Sequence, residues 1–366
     1  MKNQERRLIR RLILIIVGIL VAMWFFLWPL NSYIETPGTA DALKSYVTIK
    51  KHPDKWKGSY MLTSVYLQRA RPVTYLWAKF MNPLATIESA EDVTGGQSDK
   101  TYDKVQNFYM QSAINQAISV AYKAAGQQYT KKYLGIYVLE VQKNSKFKKQ
   151  IKVGDTITKV DGHHFNTAAG YQKYIAKQGI GHRLSVTYTH NGKTKTVTEP
   201  LVKLSTGKAG IGIILTDNVK VTTDIPVKVD PGEIGGPSGG LMFALQIYQQ
   251  ISGKDLRHGQ QIAGTGTIAA DGSVGEIGGI DKKVVAAHKA GATIFFAPYV
   301  KPTKELLKYE EQHMTNYQLA KKTAKKYAPN MKVVPVTSFQ DAVDYLNEGS
   351  LSTSTDGKLN EKMAGH

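Results

Sequence analysis

The sequence predicts an α+β protein with a single N-terminal transmembrane helix, a small β domain, and a larger domain of mixed sheets with packed helices. Three observations predict this class. An uncharged apolar run of 19 residues lies near the N-terminus. Short apolar segments divided by glycine turns fill residues 131–204. Beyond them, strand-like segments alternate with segments of helical periodicity.

The apolar run extends from Leu12 to Leu30 and is long enough to cross a membrane. Five Lys and Arg residues lie in the basic segment 1–11, and none follows the run before Lys44. The positive-inside rule therefore predicts a cytoplasmic N-terminus and an extracellular remainder. A cleaved signal peptide is the alternative, but the nearby small-x-small site, Ala40–Ala42, lies well past the run. We expect a single-pass protein of the cell membrane.

The chain is strongly basic, with 48 Lys and Arg against 29 Asp and Glu and a formal charge of +19. It contains no cysteine, so neither a disulfide nor a thiolate metal site can form. The surplus of positive charge favours anionic surroundings. Outside the cell these are anionic lipid or cell-wall polymers, and we expect no nucleic acid partner.

The extracellular N-terminal segment, residues 31–127, shows no catalytic constellation and has the pattern of a scaffold. Its predicted elements are a turn-rich entry at Thr36–Thr39, strands at Val47–Ile49 and Tyr60–Leu67, a loop at Ala90–Lys104 and a helix at Ser112–Ala125.

Residues 128–204 contain an x-apolar-Gly-apolar loop at Tyr133–Ile136 and the stretch VGDTITKVDG at 153–162. This region resembles a PDZ domain. The resemblance implies that the loop residues Tyr133, Leu134, Gly135 and Ile136 hold a peptide's terminal carboxylate, while the peptide adds as a strand to an open edge. The alternative is a small β module that only spaces its neighbours.

Residues 205–349 are predicted to form the larger domain, and residues 350–366 lack apolar periodicity and are predicted to be a disordered tail. The predicted elements are strands at Gly210–Leu215 and Val219–Val229, a hairpin of Ile262–Ala269 with Ser273–Ile277 about Asp271-Gly272, a helix at Asp281–Ala290, a strand at Thr293–Ala297, a polar helical region at Lys304–Lys326, a strand at Lys332–Val336 and a final helix from Ser338 to Leu346.

One candidate nucleophile is Ser238, within the glycine-rich stretch Gly235–Gly240. An apolar run follows at once, which predicts a serine at the first turn of a buried helix, where free N–H groups can hold an oxyanion. The plain alternative is a serine that caps this helix. The stretch also matches the Gly-x-Ser-x-Gly elbow of α/β-hydrolases. That elbow needs a histidine, and the later His258 and His313 lie in charged or polar segments.

Lysine is the other base that the chain offers. Ile280, Lys283, Val284 and Ala287 share one face of the predicted helix, so Lys283 lies on its apolar stripe, whereas Lys282 is predicted to be solvated. Burial lowers a lysine pKa by up to roughly 3–5 units, which makes the neutral amine available near neutral pH. The alternative is a lysine that snorkels from the edge of the core.

Two segments carry a second resemblance: Gly235–Gly240, and the stretch from Thr265-Gly266-Thr267 through Gly272 to Gly291 that contains Ile277-Gly278-Gly279-Ile280 and Lys283. They resemble the proteolytic domain of Lon-type serine peptidases. By motif position, the resemblance implies a catalytic dyad of Ser238 and Lys283, supported by Thr265. Gly235 stands where an acidic residue is often found, which puts acid-dependent gating in doubt. The order of anchor, PDZ and Lon-type domain is similar to membrane-anchored PDZ–Lon peptidases of Gram-positive bacteria (the YlbL-like family).

The resemblance implies an ATP-independent serine endopeptidase that cleaves extracellular peptides or unfolded exported proteins, with PDZ-assisted binding. No Gly-x-x-x-x-Gly-Lys-Ser/Thr loop and no His-Glu-x-x-His pair occurs, so we expect no cofactor and no metal. The N–H groups of Ser238 and of Gly235 or Gly236 are expected to form the oxyanion hole. Residues 31–127 are predicted to complete the Lon-type domain, with the PDZ domain inserted.

Two other functions stay open from the sequence alone. One is a non-catalytic PDZ receptor or scaffold for exported peptides on an inactive peptidase fold. The other, indicated only by the positive charge, is a scaffold that binds cell-wall polymers.

Overall fold

The computed structural model describes residues 2–348, so the predicted tail at 350–366 lies outside the described residues. The α+β class is confirmed. The helices are α1 (Lys2–Leu27), α2 (Pro72–Met81), α3 (Ala90–Thr94), α4 (Asp99–Ala124), α5 (Ala168–Ala176), α6 (Gly240–Ser252), α7 (Ile280–Lys289), α8 (Lys304–Leu307), α9 (Asn316–Tyr327) and α10 (Phe339–Glu348).

The strands form one six-stranded sheet, one five-stranded sheet and three short pairs within the described residues. They are β1 (Ser32–Ala42), β2 (Val47–Ile49), β3 (Ser59–Arg69), β4 (Thr86–Ser89), β5 (Tyr129–Val141), β6 (Thr156–Val160), β7 (Arg183–His190), β8 (Lys193–Pro200), β9 (Val202–Lys203), β10 (Ala209–Gly210), β11 (Ile213–Thr223), β12 (Val227–Val229), β13 (Gln261–Gly264), β14 (Thr267–Ile268), β15 (Val274–Gly275), β16 (Ile294–Pro298) and β17 (Lys332–Val336).

The N-terminal helix α1 is the one helix among residues 2–348 that is long and apolar enough to cross a membrane, and its apolar stretch is not buried by the rest of the chain. Membrane anchors and signal sequences share these properties. The helix ends at Leu27, short of the predicted Leu30. Pro29 explains this end, because a proline disfavours helical backbone at the residue before it.

The six-stranded sheet has the order β17-β16-β13-β3-β1-β4. Its centre joins two distant parts of the chain, because β3 pairs in parallel with β13, from Ser59 opposite Gln261 to Leu62 opposite Gly264. The strands β13, β16 and β17 continue the parallel pairing. On the other side, β1 pairs antiparallel with both β3 and β4. Strands from residues 31–127 and from residues after 204 therefore form one sheet.

Helices cover both faces of this sheet. The helix α6 is buried along almost its whole length and packs with α4 in a core that includes Tyr60, Leu62 and Phe296. A second core lies on the opposite face of the sheet, with α7 and α9. It contains the strand residues that alternate with those of the first core: Met61, Ala263 and Phe295. The alternation follows from the two-residue period of a strand. The sheet thus separates α6 from α7.

Two predictions for residues 31–127 were wrong. The predicted loop at Ala90–Lys104 contains α3 and the start of α4, which begins after the N-cap Ser98. The first turns of α4 are mostly polar, so they lack the apolar stripe that predicts a helix. Thr36–Thr39 lies inside β1, where the register shifts between Pro37 and Ala40. That irregularity accommodates a proline within the strand.

Two further predictions for the larger domain need correction. Ile262 belongs to the parallel strand β13, and the hairpin about Asp271-Gly272 consists only of β14 and β15. The region 304–326 is interrupted between α8 and α9, where Gln312 and His313 have positive φ angles. The predicted bounds of β2 and β17 are confirmed.

The small β domain is a five-stranded sheet of order β11-β5-β6-β7-β8 that packs against α5. The strand β11 pairs antiparallel with β5 from Ile213 opposite Val141 to Thr223 opposite Tyr129. The single strand β11 therefore takes the place of most of the two strands predicted at Gly210–Leu215 and Val219–Val229. The PDZ resemblance implied an open edge to which a peptide could add, but in the structure β11 occupies the edge of β5 beside the Tyr133–Ile136 loop.

Candidate active site

The glycine-rich turn places Ser238 just before α6. The helix begins at Gly240 with Gly239 as its N-cap, so Ser238 lies in the turn and not in the first helical turn. Its neighbours have no room for a side chain: a Cβ on Gly239 would lie 2.6 Å from Leu62 Cδ1, and one on Gly240 would lie 2.9 Å from the Ile268 nitrogen. The close packing fixes the turn while Ser238 itself stays partly exposed.

Lys283 reaches this serine from α7. Its Nζ lies 3.0 Å from Ser238 Oγ, and the residue is only 4% exposed. The helix α7 starts at an N-cap, Gly279, with φ of 67°. A left-handed conformation of this kind is available to glycine at little cost.

Thr265 connects the two residues from the carboxyl end of β13. Its Oγ1 lies 3.4 Å from Lys283 Nζ and donates a hydrogen bond of 3.0 Å to the carbonyl oxygen of Ser238. The Gly266 N–H donates to the same carbonyl at 2.8 Å. The threonine and the glycine together fix the backbone that carries the serine.

Burial lowers the pKa of Lys283 to about 8, against the opposing influence of the Glu35 and Glu311 carboxylates. A buried ammonium group loses its hydration, which favours the neutral amine. A neutral amine at hydrogen-bond distance from a serine hydroxyl can accept its proton. The site is therefore chemically able to activate Ser238 near neutral pH.

The adjacent Lys282 is buried, not solvated as predicted: it is 2% exposed. Its Nζ lies 3.1 Å from Asp281 Oδ1 and 3.5 Å from Glu35 Oε1. Burial alone would lower the pKa of Lys282, but Asp281 and Glu35 outweigh it and raise the pKa. The prediction failed because β1, which is remote in sequence, covers this side of α7.

The N–H groups of the turn differ in their availability. Among residues 2–348, the N–H of Ser238 has no acceptor, whereas the Gly236 N–H donates a 2.9 Å hydrogen bond to the carbonyl of Gln106. Of the two glycines considered as second oxyanion donors, the exposed Gly235 is thus the available one. Gln106 was missed because it lies between the predicted loop at Ala90–Lys104 and the predicted helix at Ser112–Ala125, in a part of α4 that no predicted element covered.

No histidine in the described part of the chain forms a hydrogen bond with Ser238. His258 is exposed with a φ of 48°, and His313 Nδ1 lies 3.0 Å from the carbonyl of Leu307. The α/β-hydrolase alternative therefore lacks its base in this arrangement. Within residues 2–348, no group of three or more His, Asp or Glu side chains is placed to hold a metal ion.

The predicted carboxylate-binding residues lie in β5. Gly135 and Ile136 are buried and Tyr133 and Leu134 are half-buried. Gly135 has a φ of 137° and stands opposite Asn218 of β11. These residues line an edge that the chain's own strand covers.

Comparison with known proteins identifies the small β domain. Residues 124–201 match the family model described as a PDZ domain. The chain therefore contains a PDZ domain, which is a class of domain that binds peptides.

The curated relatives include several proteins named Lon protease. The chain is 36% identical over 86 residues to one from Heliobacterium modesticaldum, covering 23% of this chain and 10% of that protein. It is 38% identical over 77 residues to one from Desulforamulus reducens, covering 20% of this chain and 9% of that protein. The chain thus spans about a tenth of the length of these relatives.

Solved structures similar to the chain include the PDZ domain of an SdrC-like protein from Listeria monocytogenes. It is 29% identical, covers 23% of this chain and 90% of that chain, and has a TM-score of 0.22. A protein from Geobacillus thermodenitrificans is 26% identical, covers 22% of this chain and 94% of that chain, and has a TM-score of 0.20.

Proposed function

We propose that the protein is a serine endopeptidase in which Ser238 is the nucleophile and Lys283 is the general base. The observation that carries this proposal is the 3.0 Å distance between Lys283 Nζ and Ser238 Oγ. It gains weight because the lysine is buried and has a pKa lowered to about 8. The resemblance to proteins named Lon protease supports the peptidase class.

The reaction follows from the positions of these groups. The neutral Lys283 amine takes the hydroxyl proton as Ser238 Oγ attacks the carbonyl carbon of the scissile bond. The oxyanion accepts hydrogen bonds from the Ser238 N–H and the Gly235 N–H. The intermediate collapses to an acyl-enzyme, and the leaving amine takes the proton from the Lys283 ammonium. Lys283 then deprotonates a water molecule, whose attack releases the peptide acid and restores Ser238.

Thr265 is a positioning residue in this proposal. Its hydroxyl donates to the Ser238 carbonyl and lies within reach of Lys283 Nζ. It holds the lysine side chain in the direction of Ser238 before the reaction begins. The lysine therefore loses less rotational freedom when the transition state forms.

The domain arrangement is part of the same proposal. Residues 31–127 and 224–348 form one catalytic domain, and the PDZ domain at 128–204, whose sheet β11 completes, is inserted between them. The pairing of β3 with β13 and the packing of α4 against α6 support this division. Residues 12–30 anchor the chain in the cell membrane, with residues 1–11 in the cytoplasm and the catalytic domain outside. The substrates are exported peptides or unfolded proteins, cut without ATP.

A peptide-cleavage assay on the full chain in lipid nanodiscs tests the proposal. The wild type is compared with Ser238→Ala and Lys283→Ala, and with Lys289→Ala as a matched control, because Lys289 is an exposed lysine on the same helix. We expect cleavage by the wild type and the control, and a loss of at least about a thousandfold in the two dyad variants. Cleavage that survives both dyad substitutions would contradict the dyad, and no cleavage by the wild type would favour the non-catalytic receptor.

A further inference from the structure

The PDZ match ends at residue 201, yet β11, at Ile213–Thr223, completes the sheet of that domain. It lies along the edge of β5 beside the Tyr133–Ile136 loop and α5, the edge to which the PDZ resemblance implies that a peptide adds as a strand. The chain that continues from the domain therefore fills the position of the ligand.

The direction of β11 is also that of a ligand. A peptide that ends at the Tyr133–Ile136 loop and pairs antiparallel with the rest of β5 must run towards the loop. The strand β11 does so, from Ile213 opposite Val141 to Asn218 opposite Gly135. A free peptide would end at this loop, whereas β11 continues past it beyond Asn218.

Side chains of β11 make the contacts that a bound peptide needs. Ile213 and Leu215 pack against the core that includes Tyr171 and Ile175 of α5. Asp217 Oδ1 accepts a 2.6 Å hydrogen bond from the N–H of Ala168, the first residue of α5. A cavity of about 640 Å³ lies between α5 and residues 204–215, next to Ile213 and Leu215.

The two halves of β11 are held differently. The register shifts within the first half, between Ile214 and Leu215, and again where the two halves meet, between Asn218 and Val219. Beyond this point Asn115 of α4 holds the strand: its Nδ2 donates to the Val219 carbonyl at 3.0 Å, and its Oδ1 accepts from the Val221 N–H at 3.2 Å. The first half, Ile213–Asn218, has no such clamp from α4 among the described contacts.

We propose that Ile213–Asn218 is a tethered ligand of the PDZ groove, and that an exported peptide with a free carboxylate exchanges with it. The inference rests on the peptide binding assumed in the proposed function. The competing peptide is extended, carries apolar side chains at the positions of Ile213 and Leu215, and places its carboxylate at the position that the displaced Asp217 leaves, within reach of the Ala168 N–H. Because a tethered ligand competes at a high effective concentration, only well-matched peptides bind.

The exchange leaves the catalytic turn in place. The clamp on the second half of β11 comes from α4, the helix whose Gln106 carbonyl holds the Gly236 N–H. Release of Ile213–Asn218 therefore frees the groove without removing the support of the Ser238 turn.

Crosslinks between β5 and β11 test the exchange in the full chain, in a Ser238→Ala background. The chain has no native cysteine, so introduced pairs are unique. One pair, Glu140→Cys with Ile214→Cys, locks the first half, since these residues face each other and Ile214 is exposed. The matched control, Lys132→Cys with Lys220→Cys, locks the clamped half at another facing pair of exposed residues. The probe is a fluorescent peptide with the sequence Ile-Ile-Leu-Thr-Asp and a free carboxyl end.

We expect oxidation of the 140–214 pair to weaken probe binding at least about tenfold relative to the reduced sample, and oxidation of the control pair to leave it unchanged. Leu215→Ala, which weakens the tethered strand, should tighten binding. Equal affinity in the locked and reduced forms would overturn the proposal. So would failure of the 140–214 pair to oxidise when the control pair does, or absence of binding even to Leu215→Ala. Each readout is binding, so these outcomes are independent of whether Ser238 cleaves peptides.

A separate surface lies on α2. Leu76, Trp77, Phe80 and Met81 are exposed by 45%, 43%, 74% and 75%. They follow one another at helical spacing, while Ala78 on the other side packs near Ile34 and Ala70. An exposed apolar face of this kind on a helix marks an interaction surface.

The place of α2 indicates its partner. The Leu30 N–H donates to the Ala70 carbonyl at 2.8 Å, and the Ala70 N–H donates to the Ser32 carbonyl at 2.8 Å. The start of α2 is thereby fixed to the segment that leaves α1, and the two helices are in contact. We infer that the α2 face lies in the headgroup region of the membrane that α1 crosses, as amphipathic helices with Trp and Phe do. The inference rests on the proposed anchor.

Spin labels in nanodiscs of phosphatidylcholine and phosphatidylglycerol test this contact. The label is placed at Phe80→Cys, at Met81→Cys as a second site, and at Tyr309→Cys as a control, because Tyr309 is 89% exposed in another part of the chain. We expect the two α2 labels to collide more with oxygen than with a water-soluble nickel complex, and the control label to do the reverse. Water-like accessibility at both α2 sites would overturn the inference.

Discussion

Lys283 Nζ lies 3.0 Å from Ser238 Oγ, although 45 residues separate them in the chain. Within the described residues, no carboxylate lies within ion-pairing distance of this amine. The adjacent Lys282 contacts both Asp281 and Glu35. The fold thus divides two neighbouring lysines into one whose pKa is raised by its ion pairs and one whose pKa is lowered to about 8, so that a fraction of it is neutral near neutral pH.

Peptide cleavage should depend on the protonation of Lys283. Only the neutral amine accepts the Ser238 proton, and its pKa is lowered to about 8. We therefore expect kcat/KM to fall about tenfold for each pH unit below 8 and to level off above it. A pH series with an internally quenched peptide measures this. A profile that is flat through pH 8, or one whose midpoint lies at the ordinary lysine pKa, would contradict the assignment.

Replacing Glu35 with glutamine should move that midpoint to lower pH. The Glu35 carboxylate favours the charged form of Lys283, so its removal lowers the lysine pKa further. The measurement is the same pH series, with Glu91→Gln as an exposed control. An unchanged midpoint in Glu35→Gln would show that the carboxylate does not act on the base.

Thr265→Ala should lower kcat by about 10- to 100-fold with little change in KM, since the hydroxyl orients the dyad and touches no bound peptide in the proposed reaction. Thr265→Ser keeps the hydroxyl and should retain most of the activity. Steady-state kinetics of the two variants test this. Equal losses of kcat in both variants would assign the residue a packing role instead.

The ion pair of Arg257 with Asp54 should be important for stability. Arg257 is 1% exposed, and its Nη1 lies 2.7 Å from Asp54 Oδ2. Arg257→Ala leaves a buried carboxylate unpaired and should lower the free energy of unfolding by about 3–5 kcal/mol. Arg69→Ala, which breaks the exposed pair with Asp99, should cost no more than about 1 kcal/mol. Denaturant titration compares them, and equal costs would contradict the difference in burial.

The sequence identified much of this site because its signals are local. Glycines at the Ser238 turn and the apolar stripe with Lys283 can be read from neighbouring residues, and the structure brings Ser238, Lys283 and Thr265 together. Their catalytic roles stay a prediction.

The missed features depend on distant partners. Lys282 is covered by β1, Gln106 lies on a polar part of α4, and β11 reveals its pairing with β5 only in the fold. Local patterning contains no signal for such contacts.

Detection of the acyl-enzyme tests the central claim most directly. The full chain in nanodiscs is mixed with a peptide p-nitrophenyl ester, quenched in acid within one turnover and examined by mass spectrometry. We predict a mass increase equal to the peptide acyl group, located on Ser238 and absent from Ser238→Ala and Lys283→Ala. An acyl group on another residue, or release of nitrophenol by the wild type that persists undiminished in both variants, would contradict the dyad.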